Sequence, residues 1–280
     1  MPLPTFSMRG QDVNQAERRQ LLIRELLDER HGREGAAIPA GADGQRALLR
    51  ALMNVRPPAS ASAKFLAVQD AYLKERAHER GITHVSELSP AAATGTLSRA
   101  CLWQGDITLI DADAIMNAAN SKLLGCFVPG HACIDNAIHT YAGVQLRLAC
   151  HKLMAEQGHD ECAGLVKATP AFNLPSRYVL HTVGPIVPSH VPSLRDEAAL
   201  RSSYRSCLAK ATELGCESVA LCCLSTGVFG YPQAAAARVA VDEALRYLAN
   251  DDADLRVVFN VFLDSDKWIY QQLIAERAGA

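Results

Sequence analysis

The sequence has no excess of charge of either sign. Across 280 residues, 28 Lys and Arg stand against 30 Asp and Glu, a formal net charge of −2. A nucleic-acid groove needs a basic stripe or patch, so this balance argues against a nucleic-acid partner. Any anionic ligand would have to be held by backbone N–H groups rather than by an Arg/Lys surface. No stretch approaches the roughly 18 apolar residues that span a bilayer, which argues against a membrane partner. The opening Met1-Pro2-Leu3-Pro4 lacks a basic segment followed by an apolar run, so no secretory leader is expected. Nine cysteines is an odd number, and Cys222-Cys223 are adjacent within an apolar run. Reduced core thiols and a cytoplasmic location are therefore expected rather than a disulfide framework. What is present, 49% hydrophobic and 21% charged residues, is the composition of an ordinary globular protein. The length accommodates one large domain, or a domain plus an extension.

One short segment carries concentrated chemistry: Gly125-Cys126-Phe127-Val128-Pro129-Gly130-His131-Ala132-Cys133-Ile134-Asp135-Asn136. Cys126-x4-His131-x-Cys133 groups two thiols and an imidazole, with a carboxylate at Asp135. Such a donor set suits tetrahedral Zn²⁺ and leaves its fourth position for water or substrate. On spacing alone the three could equally be core cysteines beside a loop histidine. Against that, Pro129-Gly130 marks an irregular loop, where a buried core thiol is less expected. No second ligand pair appears, as a zinc finger or ribbon would require. The P-C-x-x-C element of the zinc deaminases is also missing, which excludes that class. Apolar periodicity begins just after Asp135, so the ligands sit on a loop at a helix N-terminus, where N–H groups and the dipole favour anions.

Two regions differ in pattern. Residues 1–90 read as a helical extension, with helices over Ala16–Arg30, Gln45–Val55 and Ala63–Arg80 and a Gly/Ala-rich mobile loop over 32–44. The first helix carries Leu21, Leu22, Ile23, Leu26 and Leu27 on its apolar side, and Pro57-Pro58 separates the other two. Strands and helices then alternate. Strands are expected at 102–103, 107–110, 114–117, 164–168, 178–182, 218–224 and 255–262, the last two apolar enough to be buried on both faces. Helices are expected at about 133–156, 195–214, 232–249 and 266–277, with Gly215 as a C-cap and Pro232 in the first turn of the third. This alternation predicts an α/β fold, a central mixed sheet covered by helices on both faces. Ligands of such folds sit at the carboxyl ends of strands, where the chemically rich segments fall.

Those segments, in order, resemble the macrodomain family, which binds ADP-ribose and related groups. The match begins at Gly105-Asp106-Ile107-Thr108 and runs through Ile115-Met116-Asn117-Ala118-Ala119-Asn120-Ser121 and Ala137-Ile138-His139-Thr140-Tyr141-Ala142-Gly143. It continues through Tyr178-Val179-Leu180-His181-Thr182-Val183-Gly184-Pro185 and Ser225-Thr226-Gly227-Val228-Phe229-Gly230-Tyr231-Pro232, closing at Val261-Phe262-Leu263-Asp264-Ser265-Asp266. The resemblance covers about residues 97 to 275 and implies a three-layer α/β/α macrodomain over 91–280. Metal-free hydrolytic macrodomains have a run of glycines where this chain has Cys126 to Ile134. That departure is similar to the zinc-dependent subfamily, whose members also carry a helical N-terminal extension. The subfamily resemblance implies one Zn²⁺ per chain held by Cys126, His131 and Cys133, and removal of mono-ADP-ribose from Asp- or Glu-modified proteins.

The resemblance also implies roles for single residues. Asp106 would accept a hydrogen bond from the adenine amino group, supported by the Ile107 amide, and Phe262 would be the wall on which adenine packs. Asn117 and Asn120 follow a buried strand, and Asn120 would orient the distal ribose, being able to donate and accept at once. The amides of Ser225, Thr226, Gly227, Val228, Phe229 and Gly230 would cradle the diphosphate, since glycines allow close backbone approach. Phe229 would lie against the distal ribose and Tyr231 would line the rim. Asp135 would orient or deprotonate the attacking group. His139 and His181 are read as structural histidines. Two other functions use much the same residues: a non-catalytic ADP-ribose reader whose zinc organises the loop, and a deacetylase of O-acetyl-ADP-ribose. The protein substrate and the oligomeric state are not legible.

Overall fold

The computed structural model describes residues 13–31, 37–249 and 254–279. The opening residues 1–12 and part of the Gly/Ala-rich segment (32–36) lie outside them, and with them the expectations of no leader and of a mobile loop over those residues; the last three residues of the expected loop, 42–44, instead open a helix. Three helices come first: α1 (Gln15–His31), α2 (Ala42–Val55) and α3 (Ala63–Arg80). Ser62 caps α3 by accepting the Phe65 N–H at 3.0 Å. Leu22, Ile23, Leu26 and Leu27 of α1 pack on Leu49 and Leu52 of α2 and on Phe65 of α3, forming a second core that Val144 joins. Each such side chain, fully buried, contributes about 1.5–3 kcal/mol. Leu21, expected on the same apolar side, points outward, because it is offset by one residue from that stripe.

The rest is a three-layer α/β/α unit around one six-stranded sheet. Its strands are β1 (Ala100–Gln104), β2 (Ala114–Ala118), β3 (Val166–Pro170), β4 (Tyr178–Thr182), β5 (Ser218–Leu221) and β6 (Arg256–Val261). Their spatial order is β1-β6-β5-β2-β4-β3, parallel throughout except for the antiparallel β3–β4 pair at one edge. The helices are α4 (Ile134–Ala142), α5 (Val144–Gln157), α6 (Leu194–Glu213), α7 (Gln233–Leu248) and α8 (Asp264–Ala278). α6 ends in a Schellman motif: the Cys216 N–H bonds the Ala211 carbonyl and the Gly215 N–H the Thr212 carbonyl, with Gly215 at φ +65°. Pro232 stands at the N-cap of α7, one position before its expected place.

Two expectations need correction. The strand expected over Ile107–Ile110 is a 3-10 turn (Ile107–Leu109), because Asp106 caps it by accepting the Thr108 N–H at 2.9 Å. The single helix expected over 133–156 is broken at Gly143, whose φ of +96° and crowding by Gln69, Gln145 and Asn173 suit only a glycine. All nine cysteines are free thiols, five of them buried.

With β1, β6, β5, β2 and β4 mutually parallel, the loops leaving them emerge along one edge. The loop after β5 is fixed from below by Tyr204 of α6, wholly buried. Its hydroxyl donates to the Cys222 carbonyl (3.0 Å) and accepts the Leu224 N–H (3.1 Å). Tyr204→Phe would leave both backbone groups buried and unpaired, which costs about 1–3 kcal/mol each at most. Chemical denaturation should show a loss of at least about 1 kcal/mol; an unchanged midpoint would mean the hydroxyl holds nothing.

Candidate functional site

The loop from β2 to α4 brings its three donors together. One ligand atom each from Cys126, His131 and Cys133 lies within 4.8 Å of the others, and all three residues are half-buried. Zinc bonds of about 2.3 Å to sulfur and 2.0–2.1 Å to nitrogen, at a tetrahedral angle, place such a pair about 3.6 Å apart. Cys126 Sγ and His131 Nδ1 are 3.6 Å apart. The three donors therefore fit zinc in type, and the Cys126–His131 pair also in spacing. Cys133 also caps α4, its Sγ accepting the Asn136 N–H at 3.4 Å. Burial pushes the Cys133 thiol up to about 11, with the Asn136 bond opposing and the neighbouring Cys126 adding to the rise. A metal ion binding there has to displace such protons.

Asp135, in the first turn of α4, is 5% exposed. Asn117 Nδ2 donates to its Oδ1 (2.9 Å) and Asn120 Nδ2 to its Oδ2 (3.4 Å). Burial pushes this carboxyl up to about 6, against the pull of the Asn117 hydrogen bond and the Arg147 charge. Asn120 also donates to the Gly125 carbonyl (3.1 Å) and accepts the Lys122 N–H (3.0 Å), so it fixes the entry to the metal loop. Asn117 is wholly buried between Asp135 and His181, which makes it a support for Asp135 rather than a surface contact. His139 Nε2 lies 3.5 Å from Asp135 Oδ1, and burial keeps its ring neutral. His181, held down to about 3 by burial, shares 2.9 Å with Thr169 Oγ1. His139, Cys150 and His181 also lie close together, wholly inside the core.

The loop after β5 has a different character. Ser225 adopts φ +65°, a strained conformation for a side-chain-bearing residue, and its buried Oγ has no partner. Gly184 beneath it is obligatory, since a Cβ there would come within 2.0 Å of that Oγ. The N–H groups of Thr226, Gly227, Val228 and Phe229 donate to no protein group among the described residues. The loop is closed instead by Gly230 N–H to the Gly227 carbonyl and Tyr231 N–H to the Ser225 carbonyl, both 3.0 Å. Successive free amides on a strand-to-helix turn form a nest for an anion. Tyr231 corrects an expectation: it is 3% exposed and part of the sheet core. Tied back to Ser225, its ring turns inward and supports the loop instead of lining the rim.

At the far end, Phe262 follows β6 and is 71% exposed, its carbonyl held by Gln104 Nε2 at 3.2 Å. Asp106 Oδ1 accepts from the Thr108 N–H and hydroxyl (2.9 and 2.7 Å), and Oδ2 takes the Arg80 guanidinium. A carboxylate has about four acceptor sites, so one remains for a further donor. The Ile107 N–H, first of the 3-10 turn, donates to no protein group among the described residues. An exposed ring, an acceptor, free amides and a candidate metal centre thus share one edge of the sheet.

The Macro domain family model matches residues 116–240, from β2 into α7. A Treponema medium protein named protein-ADP-ribose hydrolase is 49% identical over 263 residues, covering 94% of this chain and all (100%) of that protein. The chain belongs to the macrodomain family. A Staphylococcus aureus protein of the same name is 41% identical over 257 residues, covering 92% of this macrodomain chain and 95% of its own. Among solved structures, an Oceanobacillus iheyensis macrodomain with ADP superposes with a TM-score of 0.58 at 34% identity, over 64% of this chain and 92% of that one. A Trypanosoma brucei macrodomain in complex with ADP-ribose gives 0.62 at 28% identity, over 80% and 94%.

Sequence reasoning missed the contribution of the helical extension to this macrodomain edge. Arg80 of α3 reaches Asp106, and Arg50 and Asn54 of α2 reach the metal loop. In the sequence Arg50 and Arg80 look like ordinary helix-surface cations. Arg147, buried in α5 with Leu146 and Cys150 beside it, is the one residue with a legible signal, a cation on an apolar face.

Proposed function

We propose that this macrodomain is a zinc-dependent hydrolase that removes mono-ADP-ribose from modified proteins, with Asp- or Glu-linked ADP-ribose as its substrate. The observation that carries this reading is the convergence of Cys126, His131 and Cys133 within 4.8 Å, on the same edge as the free amides of the Ser225 loop. The high identity to two protein-ADP-ribose hydrolases along nearly the whole chain supports it. We take residues 1–90 as the helical extension and 91–280 as the macrodomain, with one zinc per chain. No helix among the described residues is long and apolar enough to cross a membrane; a cytoplasmic site of action is proposed from the cysteines, all free thiols.

The residues divide the work. Asp106 accepts from the adenine amino group while the Ile107 N–H supports the ring, and Phe262 stacks on it. The amides from Thr226 to Phe229 take the diphosphate, with Ser225 holding the strained turn and the Gly230 N–H, bonded to the Gly227 carbonyl, closing the loop rather than facing the anion as expected. Phe229 packs against the distal ribose and Asn120 orients it, which can supply several kcal/mol through positioning. Asn117 holds Asp135, and Asp135 orients or deprotonates the attacking group. Zinc held by Cys126, His131 and Cys133 would supply Lewis acidity at the anomeric end of that ribose.

The test is release of ADP-ribose from an Asp/Glu-linked protein, a Ser-linked protein and O-acetyl-ADP-ribose. Turnover of the acidic linkage alone is the expected result. A protein that binds ADP-ribose yet releases none from an acidic linkage is a reader, and turnover of only the acetylated sugar makes it a deacetylase.

A further inference from the structure

The helical extension touches the metal loop through one face of α2. Arg50 donates through Nε and Nη2 to Asn136 Oδ1 (3.0 and 2.8 Å) and through Nη2 to the His131 carbonyl (3.0 Å). Asn136, wholly buried, is the hub of the loop. Its Nδ2 donates to the Val128 carbonyl (3.0 Å) and lies 3.5 Å from that of Cys126, and its N–H meets Cys133 Sγ. By occupying Oδ1, Arg50 sets which way this amide points. One turn further along α2, Asn54 accepts the Gly130 N–H (2.9 Å) and donates to Thr140 Oγ1 (2.9 Å). Thr140 Oγ1 in turn donates to the Asn136 carbonyl (2.7 Å). Positions 50 and 54 are four apart, so they lie on one helix face. Between them they hold the backbone at Gly130 and His131 directly, and Cys126 and Cys133 through Asn136.

We propose that α2 of the extension is the outer support of the metal loop, with Arg50 and Asn54 as positioning residues that set Cys126, His131 and Cys133 in place before zinc arrives. This rests on the zinc reading above. A loop that had to find its ligand geometry on binding would lose affinity to ordering, and outer partners of metal ligands remove that cost. Arg50 has no carboxylate partner among the described residues; its hydrogen bonds go to Asn136, in the first turn of α4, and to the His131 carbonyl of the loop. Lys at position 50 could not reproduce the forked contact to Asn136 and His131.

The test is competition for zinc between the full chain and a chromophoric chelator, for wild type, Arg50→Ala, Arg50→Lys, Asn54→Ala and Gln69→Ala. Gln69 of α3 bonds the Val144 N–H (2.9 Å) and holds the extension to α5 away from the loop, so it reports mere loosening of the seam. Zinc affinity should fall about 10- to 100-fold in Arg50→Ala and Asn54→Ala, with partial recovery in Arg50→Lys. Gln69→Ala should lower the melting temperature yet leave zinc affinity within about twofold, a difference too small to mark an outer partner. Unchanged zinc affinity in Arg50→Ala and Asn54→Ala overturns the proposal, as does an equal fall in Gln69→Ala. A wild-type chain that takes up no zinc overturns the metal reading itself, and is told apart because no variant then matters.

Discussion

Removing zinc with a chelator, or replacing Cys126 and Cys133 together by Ala, is expected to abolish ADP-ribose release while free ADP-ribose still binds. The contacts expected to carry affinity lie elsewhere: the free amides of the Ser225 loop, Asp106 and the exposed Phe262 ring. They belong to the ends of β1, β5 and β6, whose packing does not pass through the metal loop. Lewis-acid stabilisation worth several kcal/mol corresponds to a rate loss of at least about 10³-fold. Elemental analysis should find one zinc in wild type and none in the double variant. Metal retained at full stoichiometry after both substitutions would defeat the ligand set. Collapse of the fold on chelation, seen by circular dichroism, would make the metal structural.

The second large effect separates rate from affinity. Asp135→Ala should slow single-turnover release by about 10²–10⁴-fold, the usual cost of a lost acid or base, with little change in ADP-ribose affinity. Because Asp135 is buried against Asn117, Asp135→Asn belongs beside it, keeping the volume while removing the charge. Melting temperatures of both variants show whether the loss is chemical or structural. Phe262→Ala should do the reverse: loss of base stacking worth about 1–3 kcal/mol weakens affinity about 10- to 100-fold, while the rate at saturation holds. If Asp135→Ala matches wild type in rate, the hydrolase stands and the carboxylate's role falls.

How much of this could be read beforehand depends on how local each interaction is. β4 was expected at its observed residues, and β5 and β6 near theirs, the latter two because strands buried on both faces write themselves as short apolar runs. The turn at Ile107 was misread because an apolar run looks the same whether it pairs in a sheet or is curled by a side-chain cap from Asp106. The helix break at Gly143 was missed because the groups that take up the freed backbone there, Gln69 accepting the Val144 N–H and Asn173 donating to the Ala142 carbonyl, come from other elements. Cys126, His131 and Cys133 were legible as a group because a loop of a few residues brings them together. Arg50 was not: its partner Asn136 is 86 positions away, and nothing in an amphipathic helix says which of its cations will find a loop. Tyr231 shows the converse, a residue in the right motif whose ring the fold turns to the other side.

Arg147 bears on where this protein can be cut. Its buried guanidinium is held by carbonyls of Leu124, Met53 and Arg56, and lies 4.2 Å from the centre of the Phe127 ring. Two of those three acceptors belong to the end of α2 and the residue after it. A fragment beginning at β1 would keep every strand and the Leu124 carbonyl, yet lose the other two acceptors of that cation. The chain looks modular when read along its length, but this internal solvation shell is shared across the apparent boundary.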